Sequence, residues 1–548
     1  MNQKYLNIKN KIIIILIIAL IIRLTIAWQP VPTLLEKIIP DDTLYGYSIA
    51  RHIALGQGIT YNGIDKTNGF QPLWIFLITP VFLFTKDIYL AINIILTFQA
   101  VLDAIVVFLI YKLAQELFDY KVGLLSSLFW AINPLIIFQT MNGIEVTLYI
   151  MFILATLGYY NKIRNNLTIK NTVLLGLLIG LTFLARGDGI FLYFILAFHI
   201  LFWKRKFKSF LIFSIVSLLI VSPFFIWSFF TFGTIQESSQ ALKYYLSHGY
   251  FRPEGPISTV PEITIAIKED MIRGLGALAQ QMGIIDFNIN IITTVLAAFF
   301  GICLIFSLKL WKKISIPIVF GILLFLFYTI YMWGVQIRYM TPIVPFLTIL
   351  VFVGYYKINS DTKKFLVNIL LLVFVFIIII YNGFVQWDRE YFPQQRETYK
   401  DVMWLKENTP KDAVVGSFFS GIPLYFSDRT VINLEGILDF NAQKAILNRS
   451  VYSYMKSRNV SIWLDSTYHC YDNCNSACYG NCTPPFYAKD EETLERWHRG
   501  EIDILKEHDY VAVIEPEANF ELIRNRCQIY NNLRGYKMMG CFFIIKVK

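Results

Sequence analysis

Eleven apolar runs, each close to the length that crosses a bilayer, constrain this 548-residue chain more than any other feature. They lie near residues 11–28, 89–112, 122–140, 145–161, 171–186, 188–203, 209–230, 290–310, 314–335, 339–356 and 364–385. A spanning helix needs about 17–25 such residues, and a helix satisfies its own backbone hydrogen bonds in lipid. Only 16% of the residues are charged, against roughly 25% in an average soluble domain, and mean hydropathy is +0.52. The expected fold class is a polytopic α-helical membrane protein.

The net charge of +10 does not point to nucleic acid, because the basic residues form short clusters between apolar runs rather than a continuous patch. The clusters are Lys4, Lys9 and Lys11; Lys112 and Lys121; Lys162, Arg164 and Lys170; Lys204, Arg205, Lys206 and Lys208; Lys309, Lys312 and Lys313; and Lys357, Lys363 and Lys364. All fall on the cytoplasmic side if Pro72–Phe84 is a re-entrant or interfacial helix, and counting it as a full span reverses every later loop. About eleven spans are therefore expected, with the N-terminus inside and the C-terminus outside. The first run, with Arg23 in it and no good small-residue cleavage site, reads as a retained helix rather than a signal peptide.

This topology divides the chain into a membrane domain, residues 1–385, with external loops at 29–74 and 231–288, and an extracytoplasmic domain at 386–548. Large external loops over a helical bundle suggest a site at the membrane surface. The first loop contains DDTLYGYSIARHIALGQG, which reads as an amphipathic helix from Asp42 to Gly58. Two adjacent acids at a membrane edge are costly, so Asp41 and Asp42 are candidate functional residues. An N-cap or first-turn role accounts for one of them. Parity brings Glu145, in NGIEVTLY, and Arg186, in ARGDG, to the same face. The helix macrodipole is an ordinary explanation of Glu145.

Taken together, these segments resemble the GT-C fold integral-membrane glycosyltransferases that draw on polyprenyl-phosphate sugars, arabinofuranosyltransferase-like and family 39-like. DDTLYGYSIARHIALGQG with NGFQPLW is similar to the family's first external loop. NGIEVTLY, ARGDG, FGTIQESSQALKYY, RYMTPIVPF and GIPLYFSDRTVINLEGILD are similar to later segments, in the expected order from Asp41 to Asp439. Three positions depart from the pattern. Gly187 replaces a proline, Gln236-Glu237 replaces Pro-Asn, and Asn433 replaces an acid.

The resemblance implies inverting transfer of a sugar from a polyprenyl-phosphate donor to an extracytoplasmic glycan, glycolipid or glycoprotein acceptor. Such a reaction needs a base for the acceptor hydroxyl and cations for the leaving phosphate. Asp41 or Asp42 would be the base. Lys243, Arg338, Arg186 and Arg51 are candidate phosphate partners, each with the alternative of a solvated or snorkelling side chain. His52, Gln71 and Asn68 are candidate sugar contacts, and Trp74 would stack on a sugar or anchor at the interface. By analogy with the fold, a divalent cation, Mg or Mn, would bridge Asp42, Glu145 and the phosphate, although no metal-specific spacing supports it.

Outside the spans lie Cys470, Cys474, Cys478, Cys482, Cys527 and Cys541. An even set in an oxidising compartment reads as disulfides, with the pairing open, and a metal site is the alternative. Alternating patterns at 414–418, 429–434, 510–515 and 541–547 read as strands, and 400–409 and 492–505 as helices, of a small α/β domain. Two other classes compete. A lipid-linked polysaccharide ligase or polymerase would share the outward site. A transporter would show midplane charges and matching halves, whereas few charges besides Arg23 and Asp103 lie within the spans.

Overall fold

The structure is a computed structural model that describes residues 3–248, 256–283, 291–308, 311–332, 334–361, 387, 392–470, 520–531 and 537–547. The described residues of each apolar run up to residue 356 fall mostly in helix, and the run at 364–385 lies outside the described residues. Among the described residues, six helices are long and apolar enough to cross a membrane, or seven if one bent pair counts as a span. That pair, Tyr120–Ile132 and Pro134–Thr140, bends by 70°. Asn133 makes the break: its Oδ1 accepts from the N–H groups of Leu135 and Ile136, and Pro134 starts the second helix. The continuous span expected at 122–140 is thus broken. Pro72–Phe84 is a 13-residue helix, too short to cross the bilayer core.

Helix packing in the bundle is fastened by one buried ion pair. Arg23, from the Gln3–Ala27 helix, meets Asp103 of the Ile88–Leu117 helix, and both side chains are fully buried. Arg23 also donates to the carbonyls of Ala131 at 2.7 Å, Ala19 at 3.2 Å and Trp130 at 3.3 Å. Asp103 accepts from Trp130 Nε1 at 3.0 Å and Thr140 Oγ1 at 3.1 Å. A buried charge pair is tolerable in a low-dielectric bundle only when its remaining hydrogen-bonding positions are filled in this way.

The C-terminal portion forms a five-stranded mixed sheet of order β2-β1-β3-β5-β4. Its strands are β1 Val414–Ser417, β2 Thr430–Asn433, β3 Ile462–Cys470, β4 Phe520–Asn531 and β5 Lys537–Val547. β1 runs parallel to β2 and β3, while β5 is antiparallel to β3 and β4. The predicted strands at 414–418 and 429–434 are β1 and β2, and 541–547 lies within β5. The predicted strand 510–515 and helix 492–505 lie outside the described residues. The helix expected at 400–409 is the end of Pro393–Asn408.

This sheet unit is tied to the 29–74 loop along its length. Gln395 donates to the carbonyls of Leu35 and Ile39 at 2.7 and 2.8 Å, and Asn62 donates to Val431 O at 3.0 Å. Arg458 pairs with Asp65. Tyr454 donates to Asp439 at 2.6 Å, and Tyr61 donates to the same carboxylate at 3.3 Å. Asn433 organises the Glu435-Gly436 turn: its Oδ1 accepts from Gly436 N at 2.9 Å and Leu438 N at 3.3 Å, and its Nδ2 donates to Ser420 Oγ at 2.9 Å. A carboxylate could accept the first two bonds but not donate the third.

Candidate active site

The Asp41–Ala54 helix begins after Pro40, whose side chain cannot cap it, so both acids sit in its first turn and neither caps it. The capping role expected from the sequence is corrected accordingly. Asp41 instead caps a different helix. Its carboxylate accepts from Gly421 N at 3.0 Å and Ile422 N at 2.9 Å, at the start of Gly421–Phe426. A Cβ at Gly421 would lie 2.6 Å from Asp41 Oδ1, so this approach requires glycine. Burial lifts the Asp41 carboxyl to about 6, against the pull of those two N–H groups.

Asp42 turns the other way, into a cavity of about 520 Å³. It pairs with Arg338, and its side chain is 38% exposed against 11% for Arg338. Burial acts to raise the Asp42 carboxyl, but Arg338 and then Lys243 outweigh it and hold the group below its ordinary value. Asp42 is therefore ionised and open to the cavity.

Glu145 reaches the same cavity through a tightly held loop. Gly143 has φ 83°, and a Cβ there would sit 2.5 Å from Thr43 Cγ2, so the NGIE segment needs glycine on both counts. Gln99 brackets the loop, accepting from Gly143 N and donating to Ile144 O, each at 2.8 Å. Trp74 Nε1 donates to Gly143 O at 3.0 Å, a buried structural bond that replaces the interfacial anchor role. Glu145 then lies 3.5 Å from Arg186 Nη1. Arg186 also pairs with Asp188 at 3.1 Å and donates to Tyr328 OH at 2.9 Å, while Tyr328 donates to Asp188 at 2.6 Å.

Three cations gather on one ring. Tyr339, next to Arg338 in the chain, has Arg186 at 4.9 Å, Lys243 at 5.1 Å and Arg338 at 5.5 Å from its centroid, and it stacks on Tyr328 at 4.6 Å. Aromatic faces attract cations, so the ring holds positive charge together that would otherwise repel. Arg186 and Arg338 are matched by carboxylates, whereas Lys243 makes no ion pair among the described residues.

Next to Lys243 along the same lining, the cavity is polar without being cationic. Glu237, 6% exposed, precedes the Ser238–Ser247 helix and accepts at Oε2 from Gln240 at 3.0 Å and from Gln71 at 3.4 Å. Burial raises its carboxyl to about 8, with Lys243 and Gln240 opposing. Asn68, expected to touch a sugar, is spent on backbone: it donates to Gln236 O at 3.0 Å and accepts from Ser238 N at 3.1 Å.

The structure thus brings Asp42, Gln71, Glu145, Arg186, Lys243 and Arg338 to one cavity, and leaves Asp41, Arg51 and His52 outside its lining. Arg51 and His52 lie in the last turn of the Asp41–Ala54 helix, nine and ten residues from Asp42. A rise of about 1.5 Å per residue carries them roughly 14 Å beyond it, and His52 is engaged by Gln57. Glu237, Gln240 and Tyr339 were not among the sequence candidates. The three-residue spacing of Glu237, Gln240 and Lys243 on one helix face was the available signal.

No group of three or more His, Cys, Asp or Glu side chains suited to a metal occurs among the described residues. Asp42 and Glu145 each face an arginine, so a cation shared by these two acids would have to displace Arg338 and Arg186 from them. Cys474, Cys478 and Cys482 lie outside the described residues, whereas Cys470 ends β3, and Cys527 and Cys541 are register partners on β4 and β5.

A family model described as dolichyl-phosphate-mannose-protein mannosyltransferase matches residues 74–227. No curated protein matches the sequence. Among solved structures, the apo oligosaccharyltransferase of Archaeoglobus fulgidus is similar over 83% of this chain and 69% of its own, at 14% identity and TM-score 0.54. ArnT from Cupriavidus metallidurans bound to undecaprenyl phosphate is similar over 82% of this chain and 92% of its own, at 11% identity and TM-score 0.55. The Archaeoglobus enzyme in complex with Zn and sulfate aligns at 15% identity over 82% of this chain and 68% of its own, with TM-score 0.51. The fold is that of the GT-C membrane glycosyltransferases.

Proposed function

We propose that this protein is a multi-pass membrane glycosyltransferase that moves a sugar from a polyprenyl-phosphate donor to a hydroxyl-bearing glycan, glycolipid or glycoprotein acceptor outside the cytoplasm. The observation that carries the reading is Lys243, a cation with no ion pair among the described residues, beside Arg338 on the Tyr339 ring and within the cavity that Asp42 enters. A monoester or diester phosphate at Lys243 and Arg338 would complete the charge balance. The undecaprenyl phosphate in the ArnT structure and the dolichol-phosphate in an Archaeoglobus oligosaccharyltransferase structure are ligands of this kind.

Asp42 acts as the base. The acceptor hydroxyl loses its proton to the Asp42 carboxylate while its oxygen attacks the anomeric carbon. The bond from that carbon to the phosphate oxygen breaks, and polyprenyl phosphate leaves with the electron pair. The ion pair with Arg338 holds Asp42 ionised and oriented before substrate arrives. When the donor phosphate draws on Arg338 and Lys243, both cations pull less on Asp42 and the phosphate adds negative charge beside it. Its proton affinity rises toward that of a working base once the donor is bound.

About eleven spans with an extracytoplasmic C-terminal unit complete the proposal, since the site must face the compartment of the acceptor. The test is an assay of the purified full-length protein in lipid nanodiscs against a panel of polyprenyl-phosphate sugars, with mass analysis of the product. Transfer from a lipid-linked sugar, lost in Asp42→Asn, is expected. Direct transfer from a nucleotide sugar would overturn the reading.

A further inference from the structure

We infer that Glu237, with Gln71 and Gln240, is the sugar-discriminating wall of the cavity, and that it selects neutral, hydroxyl-bearing sugars over amino-bearing ones. The inference rests on the proposed lipid-phosphate donor and assigns the part of the site that reads the sugar.

Position supports it first. Glu237 immediately precedes the Ser238–Ser247 helix, and Gln240, Lys243 and Tyr244 follow it along the cavity-lining face. Glu237 and Lys243 are six residues apart, roughly 9 Å along the axis. A phosphate held at Lys243 would project one sugar ring back along this face toward Glu237.

Unfilled hydrogen-bonding capacity is the second support. Both amide donors that reach Glu237 fall on the same oxygen, Oε2. Its Oε1 takes no hydrogen bond among the described residues. Gln71 Oε1 is buried without a partner. An orphaned buried acceptor is costly, and a ligand that donates to it as the side chain turns toward the cavity recovers that cost. These two acceptors, with the Gln240 amide beside them, match the alternating donors and acceptors of sugar hydroxyls.

The charge state sets the class of sugar. Glu237 is deeply buried and faces Lys243 and Glu145, and burial outweighs the pull of Lys243 and keeps its carboxyl protonated at neutral pH. A neutral carboxyl donates through its O–H to a sugar oxygen, while an ammonium group would meet Lys243 on the same face of the cavity. The sequence departure at Gln236-Glu237 is where the wall is built.

The experiment measures binding of undecaprenyl phosphate, and of undecaprenyl phosphate carrying neutral or amino-bearing hexoses and pentoses, to the full-length protein in nanodiscs. The wild type is expected to bind at least one neutral sugar-lipid about tenfold more tightly than the bare lipid, the equivalent of roughly 1.4 kcal/mol. Glu237→Ala should erase that preference, and Lys243→Ala should weaken both lipids together. Glu237→Gln, which retains a donor, should lose much less of the preference than Glu237→Ala. Equal binding of bare and sugar-bearing lipid by the wild type overturns this inference and leaves the phosphate reading standing. So does a preference for amino sugars, or Glu237→Gln behaving like Glu237→Ala. Binding of neither lipid overturns the proposed function and this inference with it.

Discussion

The Asp41 carboxylate and the Gly421 N–H meet at 3.0 Å across 380 residues of sequence. This contact makes Asp41 a clamp between the 29–74 loop and the sheet unit. It also separates two adjacent acids that a sequence treats alike. Asp42, one residue on, pairs with Arg338 and faces the cavity.

Replacing each acid by asparagine should separate their roles. Asp42→Asn should lower turnover by about 10²–10⁴-fold, the range for loss of a general base, with thermal stability little changed. Asp41→Asn should keep measurable turnover but shift stability by about 1 kcal/mol, because a neutral amide weakens the bonds from the Gly421 and Ile422 N–H groups and also removes a buried charge. Thermal unfolding and initial rates on the same preparations check both. Loss of turnover in Asp41→Asn with the stability intact would reverse the assignment.

Asp41 also sets a pH dependence. Its folded value, about 6, lies above the ordinary 3.8, so between these two the folded state holds a proton that the unfolded chain has released. Stability therefore falls as pH rises from about 4 to about 6, and this group contributes no further slope above that. Asp41→Asn should flatten this limb of a melting-temperature profile. An unchanged slope in the variant would assign it to another group, such as Glu435, whose carboxyl burial raises well above its ordinary value.

How much of this was legible beforehand depends on the distance over which each feature is decided. The apolar runs are local, and their described residues are mostly helix. The NGIE loop was visible as a pattern, but its reason, glycine against Thr43 with Gln99 bracketing the backbone, joins three segments. Arg51 could have been set aside from the sequence alone, since nine residues at 100° each turn it to the helix face opposite Asp42. Glu237 was visible as a departure from a pattern and in its spacing to Gln240 and Lys243, but neither marks its role, because burial gives an acid its role and the sequence does not print burial. Tyr339 was visible within the RYMTPIVPF segment, but only the fold surrounds it with Arg186, Lys243 and Arg338.

The Tyr339 ring makes a prediction of its own. Tyr339→Phe keeps the ring and should retain donor binding within a few-fold. Tyr339→Leu removes the face that three cations share, at about 0.5–1 kcal/mol or more for each contact, and should weaken binding of bare undecaprenyl phosphate by roughly tenfold. Titration of the lipid into each variant in nanodiscs checks this. Equal affinity of the leucine and phenylalanine variants would show that the ring does not organise the cations.

Arg23 and Asp103 test whether the charges within the bundle are structural. Every hydrogen-bonding contact of the pair ends on the protein itself: Arg23 reaches Asp103 and the carbonyls of Ala19, Trp130 and Ala131, while Asp103 also takes Trp130 Nε1 and Thr140 Oγ1. A substrate path would need one of them free to exchange partners. Arg23→Leu leaves a buried carboxylate uncompensated and should cost about 3–5 kcal/mol, read as a lower melting temperature in nanodiscs. Asp103→Leu should do the same to the guanidinium. The double variant should recover a large part of the loss, because removing both charges removes the desolvation penalty that either one alone incurs. A transport role predicts a different pattern, in which the single variants are already about as stable as the wild type, since a pair built to open contributes little when closed.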